Sequence, residues 1–367
     1  MDSEKVLLIP QPQLSMPSEG LWRVEAIVEG HPVYIEASVP LSPRPEVFLC
    51  SFYFPAMSKG WNLRVAGGLD SVSLKNLAFI QAQAMDWWPG FGGGDVGAEP
   101  VARAEAGRER AAFYTGGVDS SYVLQHLHAQ LGSAVFVEGF DIPLGDEERL
   151  RATRASLRAT AAECGLKLLV VRTNLREHPV FKFANWETTH IAALASVAHA
   201  LGRHFHTLYV AASDVPPPFG TAPDLDAAWS SASVSIENFS AELSRLERVR
   251  SIARWEPLRG RLRVCWENSS IELNCGFCEK CVRTRLQLLV SGAESGLDSF
   301  PKDQPLIPAM RRIVVDHALV GQWQQLVPLI EDRKLRRAVE KTMRRKNLPF
   351  FERAKRKTRR ILVKLGL

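Results

Sequence analysis

The stretch that decides the fold is Tyr114-Thr115-Gly116-Gly117-Val118-Asp119-Ser120-Ser121. A short apolar segment at 111–113 precedes it and predicts a strand, and apolar residues at helical spacing follow it as far as residue 131. Glycine lets the backbone approach a ligand, and the first turn of a helix presents free N–H groups, so this arrangement suits an anion. The pattern therefore predicts a site for the phosphates of ATP. The plainer alternative is a strand-to-helix turn capped by an Asp or Ser side chain.

Each residue of this loop has a predicted role. Asp119 is expected to orient the loop or a metal ion, and Ser120 is expected to donate a hydroxyl to the reacting phosphates. The remaining candidates for binding the nucleotide are Thr115, Gly116, Gly117, Val118 and Ser121. The loop is not a Walker A loop, because no G-K-[ST] follows, and it is not a G-x-G-x-x-G fingerprint.

Strand and helix patterns alternate after the loop and predict an α/β fold. Strands are predicted at 111–114, 134–140, 167–172 and 207–212, with helices at 120–131, 146–164 and 186–201. This order predicts a Rossmann-like parallel sheet with helices on both faces. Because such sheets bind ligands at the carboxyl ends of their strands, six further residues are expected around the same crevice: Phe140, Asp141, Thr173, Asn174, Ser213 and Asp214.

The residues before the loop read as β-rich. Alternating apolar residues at 22–28 and 33–39 predict a hairpin, and further strands are predicted at 46–54 and 61–65. Ser73 is predicted to begin a helix, residues 89–110 read as a linker, and residues 214–240 read as a long loop. The predicted organisation is a β-rich N-terminal domain (1–95), an ATP-binding domain (96–300) and a helical C-terminal region (301–367).

Four of the six cysteines lie within seventeen residues, with the spacing C-x9-C-x2-C-x2-C. Thiolates two residues apart can hold one ion, and a fourth thiolate from a separate segment closes a tetrahedral shell. The predicted ligands of a structural zinc ion are Cys265, Cys275, Cys278 and Cys281. An iron–sulfur cluster uses the same number of thiolates and stays open as an alternative.

The charge of the chain is unevenly distributed. The net charge is +6, but residues 333–364 hold fifteen Lys or Arg and two acidic residues (15 − 2 = +13), which leaves −7 for the rest. This basic tail predicts amphipathic helices with a solvated basic face. The alternatives are a protein or nucleic-acid partner, an anionic membrane surface, and docking against the acidic body of the chain. No apolar run is long enough for a membrane span, and the N-terminus lacks the features of a signal peptide, so a cytoplasmic protein is expected.

The loop and the cysteines together resemble the PP-loop ATP pyrophosphatase superfamily. The loop is similar to its S-G-G-x-D-S signature, with Thr115 in the first serine position. The late cysteine cluster, closely followed by Arg283 and Arg285, resembles the 7-cyano-7-deazaguanine synthases of that superfamily. The similarity covers roughly residues 111–290.

The resemblance implies an adenylating enzyme. A carboxylate or amide oxygen of a small acid would attack the α-phosphorus of ATP, pyrophosphate would leave with Mg²⁺, and a nitrogen nucleophile would displace AMP. Arg283 would stabilise the developing negative charge or, alternatively, form a surface salt bridge. The acid could be deazaguanine-like and the acceptor another molecule. Three alternatives stay open: an asparagine-synthetase-like amide ligase, a tRNA sulfur-transfer enzyme, and a nucleotide-binding protein without catalysis.

Overall fold

A computed structural model describes residues 5–102, 106–182, 184–269 and 272–345. Within them the chain forms thirteen strands and eleven α-helices. Strands β1–β13 are Val6–Ile9, Gln13–Ser18, Leu21–Val28, His31–Ala37, Asn62–Val65, Leu69–Asp70, Val96–Gly97, Pro100–Val101, Glu109–Phe113, Ser133–Glu138, Lys167–Thr173, Phe205–Ala211 and Ser235–Phe239. Helices α1–α11 are Glu46–Met57, Ser71–Trp87, Val118–Leu127, Glu147–Glu163, Trp186–Ala200, Pro223–Ala228, Arg245–Ile252, Glu279–Val290, Leu306–Met310, Val320–Gln324 and Arg333–Met343.

The predicted α/β fold with a parallel sheet is confirmed. An eight-stranded sheet has the order β13-β12-β9-β10-β11-β4-β3-β2, and β9 to β13 are mutually parallel. Numbered along the chain, these five strands have the order 3-2-1-4-5. The order therefore reverses at β9, and a crevice at the carboxyl ends is expected at such a switch point. The loop 114–117 leaves β9 at this position.

Helices cover both faces of the parallel strands because alternate residues of each strand face opposite cores. Ala111 and Phe113 pack into the core that contains α1 and α5, whereas Ala112 and Tyr114 pack against α3 and α4. Val135 of β10 lies in register with Phe113. The strands are buried on both sides, as is typical of parallel sheets.

The N-terminal region is β-rich, and its predicted hairpin is confirmed as β3 and β4. Glu29 and Gly30 form the turn with φ values of 46° and 78°, as a two-residue hairpin turn requires. Strand β4 pairs antiparallel with β11, so the hairpin extends the central sheet. The helix predicted from Ser73 is α2, but its first turn is capped by Asp70, whose side chain accepts from the amides of Val72 and Ser73.

The strand predicted at 46–54 is wrong. These residues belong to α1, which is buried along its whole length and packs against α5. A short, wholly apolar run does not distinguish a buried strand from a buried helix, because neither period is visible in it. The long loop predicted at 214–240 is also wrong in part, because it contains α6 and the edge strand β13.

The segment predicted to be a linker packs closely against the N-terminal region. A Cβ atom on Gly93, which has φ +64°, would lie 2.7 Å from the carbonyl oxygen of Trp61. Strands β7 and β8 pair with β5 and β6. Gly93 therefore allows a close approach between backbones, and Gly94 allows the side chain of Met57 to pack against it. The division of the chain at residues 95 and 300 stays a prediction.

The described part of the C-terminal region is helical, as predicted. Helices α9, α10 and α11 pack around the buried Trp323. The second half of the predicted basic tail, residues 346–367, lies outside the described residues. In the part of the chain that the structure describes, no helix has both the length and the apolar character needed to cross a membrane.

Candidate nucleotide site and metal centre

The loop between β9 and α3 has the geometry of an anion cradle. Gly116 has φ +73°, and Gly117 occupies the N-cap position of α3 without a side chain that could cap the helix. A Cβ atom on Gly116 would lie 2.9 Å from Cδ2 of Leu157, so this position also requires glycine for space. The amides of the first turn thus have no side-chain cap, and an anion placed before them would accept their hydrogen bonds.

Two hydroxyl groups hold the loop closed. The Oγ atom of Ser120 accepts a hydrogen bond from the amide of Thr115 at 3.3 Å and lies 3.3 Å from the Oγ1 atom of Thr115. It also lies 3.4 Å from the carbonyl oxygen of Gly117, to which it can donate. Ser121 and the side chain of Val118 are fully buried, so among the loop residues Thr115 and Ser120 place hydroxyls together at the helix start.

Asp119 is held by two arginines that the sequence interpretation missed. Its Oδ2 atom lies 2.6 Å from Nη1 of Arg245, and its Oδ1 atom lies 3.0 Å from Nη1 of Arg248. Burial by itself would raise the pKa of Asp119, but the two guanidinium groups outweigh it and hold that pKa below its ordinary value. The carboxylate therefore stays ionised. One sequence signal was available: Arg245 and Arg248 stand three apart, which places them on one face of α7.

Arg248 is an anchor of the fold as well as a partner of the loop. It is fully buried, and its guanidinium donates to the carbonyl oxygens of Ala212, Ser240 and Leu243 at 2.7–2.8 Å. Arg245, also buried, donates to Oγ1 of Thr284 in α8 at 3.3 Å. The two arginines thereby tie α7 to the loop, to the end of β12 and to α8.

Lys280 joins this group of charges from the first turn of α8. It lies four residues before Thr284, so both side chains are on the face of α8 that meets Arg245. Burial and the neighbouring Arg245 lower the pKa of Lys280, and the carboxylates of Asp119 and Asp141 oppose that shift. We refer to Arg245, Arg248, Lys280 and Arg283 as the cation cluster.

Three members of the cation cluster are paired with carboxylates. Asp119 pairs with Arg245 and Arg248, and Glu279 pairs with Arg283 at 2.7 Å. The carboxylate of Asp214 also lies at the cluster, where it accepts from the amide of Arg245, and the carboxylate of Asp141 acts on Lys280. The four cations therefore have four carboxylates near them, and the group that can meet an added anion is the ammonium of Lys280, which no described ion pair occupies.

Arg283 is more enclosed than its predicted role implies. Its guanidinium donates to both carboxylate oxygens of Glu279, at 2.7 and 3.2 Å, and to the side-chain carbonyl of Gln322. Gln322 in turn donates to the backbone carbonyl of Asp214 at 2.5 Å. These hydrogen bonds fix the guanidinium of Arg283 in place, and Arg283 links α8 to α10.

The candidates at the other strand ends have different surroundings. The carboxylate of Asp214 accepts from the amide of Arg245 at 2.8 Å, so it tethers the start of α7, and Ser213 beside it is half-buried. Phe140 is buried, and its ring centroid lies 5.1 Å from that of Trp186. Asp141 is exposed. Asp141 is thus accessible to a ligand, whereas the carboxylate of Asp214 is occupied by the backbone at the start of α7.

The four predicted metal ligands form one buried cluster. The sulfur atoms of Cys265, Cys275, Cys278 and Cys281 all lie within 4.8 Å of one another, and those of Cys275 and Cys281 are 3.9 Å apart. Such a cluster could hold a metal ion such as zinc. The amides of Cys278 and Cys281 donate to the sulfurs of Cys275 and Cys278 at 3.3 and 3.4 Å, which orients the thiolates. We call residues 262–269 and 272–281, whose four cysteines are free thiols, the cysteine knot.

Asn274 clamps the two halves of the cysteine knot. Its side-chain oxygen accepts from the amides of Val264 and Cys265 at 2.8 and 3.1 Å. Its side-chain nitrogen donates to the carbonyls of Leu262 and Ser299 at 2.6 and 2.8 Å. The sequence interpretation missed this residue because a single asparagine has no characteristic spacing.

No family model, no curated protein and no solved structure matches this chain. Functional inference therefore rests on the loop, the cation cluster and the cysteine knot themselves.

Proposed function

We propose that the chain is an ATP-dependent adenylating enzyme. The observation that carries the proposal is the cation cluster beside an uncapped helix start, with Asp119 2.6 Å from Arg245. Backbone amides and buried cations at one point suit the polyphosphate of a nucleotide, and positioning with charge stabilisation is what phosphorus chemistry needs from a protein. The similarity of residues 114–121 to the PP-loop signature directs the proposal to attack at the α-phosphorus.

The proposed reaction has two steps. A carboxylate or amide oxygen of a small acid forms a bond to the α-phosphorus of ATP, and the bond to pyrophosphate breaks. A nitrogen nucleophile then forms a bond to the activated carbon and releases a proton to solvent, and AMP leaves with the electron pair of the broken C–O bond. By resemblance to the 7-cyano-7-deazaguanine synthases, the acid is deazaguanine-like.

The residues of the site take distinct roles in this proposal. The amides after Gly117 and the hydroxyls of Thr115 and Ser120 bind the pyrophosphate portion, together with Mg²⁺. Lys280, as the member of the cation cluster without a described ion pair, approaches the negative charge that develops on the phosphates. Asp119 orients Arg245 and Arg248, because both of its oxygens already accept from them.

The metal of the cysteine knot is proposed to be zinc with a structural role. Four ligands around zinc at about 2.3 Å place tetrahedral sulfurs roughly 3.8 Å apart. The 3.9 Å between the sulfurs of Cys275 and Cys281 fits one ion of this size. A multi-iron cluster binds its thiolates through separate irons and would hold the sulfurs farther apart.

Pyrophosphate exchange tests the proposed activity. Radioactive pyrophosphate should enter ATP only when a suitable acid and Mg²⁺ are present, and Ser120→Ala should reduce the exchange at least 100-fold. Ser71→Ala, at an exposed serine in the first turn of α2, is the matched control and should leave exchange unchanged. If the Ser120→Ala variant exchanges pyrophosphate at the wild-type rate, the loop does not take part in the reaction.

Nucleotide binding without turnover is the second candidate, and one observation favours it. Both oxygens of Asp119 are engaged by arginines, so this carboxylate is not a free metal ligand. Calorimetry with ATP alone, and then with ATP, Mg²⁺ and the acid, separates the two candidates. The binding protein would show the first titration and no formation of AMP in the second.

A further inference from the structure

Helix α11 carries a row of cations on one face. Arg333, Arg337, Lys341 and Arg344 follow one another at intervals of three or four residues, and Lys334 lies beside them. At 100° per residue these five positions fall within an arc of about 100°, over about 16 Å of helix. Two further cations adjoin this row: Arg345 donates to the carbonyl of Met310 at 2.7 Å, which brings the end of α11 next to Arg311 and Arg312.

We call these seven residues the basic face. All seven side chains are exposed: Arg311, Arg312, Arg333, Lys334, Arg337, Lys341 and Arg344. Among the described residues, none of them forms a hydrogen bond or an ion pair through its side chain, whereas Arg336 and Arg345 are occupied by backbone carbonyls. Glu340 is the acidic residue at the edge of the row, and the carboxylate of Asp332 is used as the helix cap.

The opposite side of α11 packs against the interior of the protein. Val339 and Thr342 are buried, and Leu335, Ala338 and Met343 pack against the core around Trp323. An amphipathic helix that binds a membrane inserts its apolar side, which α11 cannot do from this position. The basic face is therefore presented to an aqueous partner on a rigid support.

The composition of the basic face distinguishes between kinds of partner. Protein interfaces depend on aromatic and aliphatic anchors, and the described part of this face presents none. Single-stranded nucleic acids are held by stacking on aromatic side chains, which are also missing from it. Arginine and lysine in a row suit the phosphates of a duplex, which carries one negative charge per roughly 1.7 Å of its axis.

We infer that the basic face binds the sugar–phosphate backbone of double-stranded nucleic acid without reading its sequence. The inference does not depend on the proposed adenylation, because α11 and the loop 114–117 are separate parts of the molecule. The proposed binding is electrostatic. The row on α11 would neutralise about four phosphates, and Arg311 and Arg312 lie at one end of this row.

The test uses fluorescence anisotropy of a labelled 20-base-pair DNA duplex with the full chain, between 50 and 200 mM KCl. Log K should fall as log[KCl] rises, and the four phosphates assigned to the row on α11 should contribute roughly −4 to the slope. The double variant Arg337→Glu, Lys341→Glu should bind at least tenfold more weakly at 50 mM KCl, with a slope shallower by about 2. Both residues are exposed, so the variant should keep the wild-type circular dichroism spectrum.

The matched control is Arg151→Glu, Arg158→Glu, which makes the same charge change at two exposed positions of α4. This control should bind the duplex within threefold of the wild type. If both double variants weaken duplex binding equally, the net charge of the protein alone explains the effect and the inference is overturned. Absence of salt-dependent duplex binding, tighter binding of single-stranded DNA, or preference for vesicles with phosphatidylserine would overturn it as well.

Discussion

The amide nitrogen of Arg263 donates a hydrogen bond of 2.8 Å to the carbonyl oxygen of Gly116. Arg263 stands two residues before Cys265, so the cysteine knot contacts the loop directly. On the other side, Thr284 of α8 meets Arg245, which holds Asp119. The cysteine knot therefore supports the loop directly through Arg263, and the helix that follows it, α8, supports Asp119 through Arg245.

Loss of the proposed metal centre should disable the loop before it unfolds the sheet. Cys281→Ser removes one of the four thiolates and should destabilise the protein by on the order of 4 kcal/mol, because loss of a metal site is among the largest single-residue effects. ATP binding measured by calorimetry should fall at least tenfold. Cys164→Ser, at a cysteine outside the cluster, should change neither quantity.

Removal of the carboxylate at position 119 should destabilise the fold. Asp119→Ala leaves the buried Arg245 and Arg248 without their partner, and breaking such a pair costs about 3–5 kcal/mol. Urea denaturation measures the free energy of unfolding. Combining Asp119→Ala with Arg245→Met should recover part of the loss, and strictly additive effects in this double-mutant cycle would show that the pair is not coupled.

Gly116→Ala should destabilise the protein more than Gly260→Ala, although both glycines have a positive φ. Both Gly116 and Gly260 have positive φ, +73° and +68°, but a Cβ on Gly116 would meet Leu157, whereas nothing lies within 4 Å at Gly260. We expect Gly260→Ala to cost about 1 kcal/mol from its backbone conformation. Gly116→Ala should cost roughly 2 kcal/mol more and abolish ATP binding. Equal costs in thermal unfolding would contradict the close packing of the loop.

Lys280 should contribute to anion binding through its charge. Lys280→Met should weaken binding of ATP and of pyrophosphate at least tenfold, whereas Lys280→Arg should stay within threefold of the wild type. The control is Lys75→Met, at an exposed lysine on α2. Zinc content measured on the same samples should stay at one ion per chain. An effect on zinc content equal to the effect on binding would assign Lys280 to the fold of the knot.

Asp226 should make the stability depend on pH. Burial raises its pKa to about 6, although Asn238, Thr221 and the amide of Ala222 donate hydrogen bonds to it. The folded state therefore holds a proton that the unfolded state releases near pH 4, so stability contributed by this group is complete below about pH 4. It is lost as the pH rises through about 6. The difference in unfolding free energy between wild type and Asp226→Asn should fall by roughly 2–3 kcal/mol from pH 4 to pH 7.

Several elements were predictable because their signals are local. The glycine pair, the alternating apolar residues and the cysteine spacing each act within a few residues, and the strands, hairpin and cysteine cluster they indicated are present. Helix α1 and strand β13 were not predictable. A wholly apolar run shows neither period, and β13 obtains its backbone hydrogen bonds from β12, at the edge of a sheet assembled from distant segments.

The sequence by itself determined the α/β class, the loop that follows β9 and the identity of the four clustered cysteines, because backbone freedom and ligand spacing are short-range properties. Only the tertiary structure decided which charges face that loop. Arg245 lies 126 residues from Asp119 and reaches it through the packing of α7 against α3. Ion pairing depends on distance in space, which the order of residues does not specify.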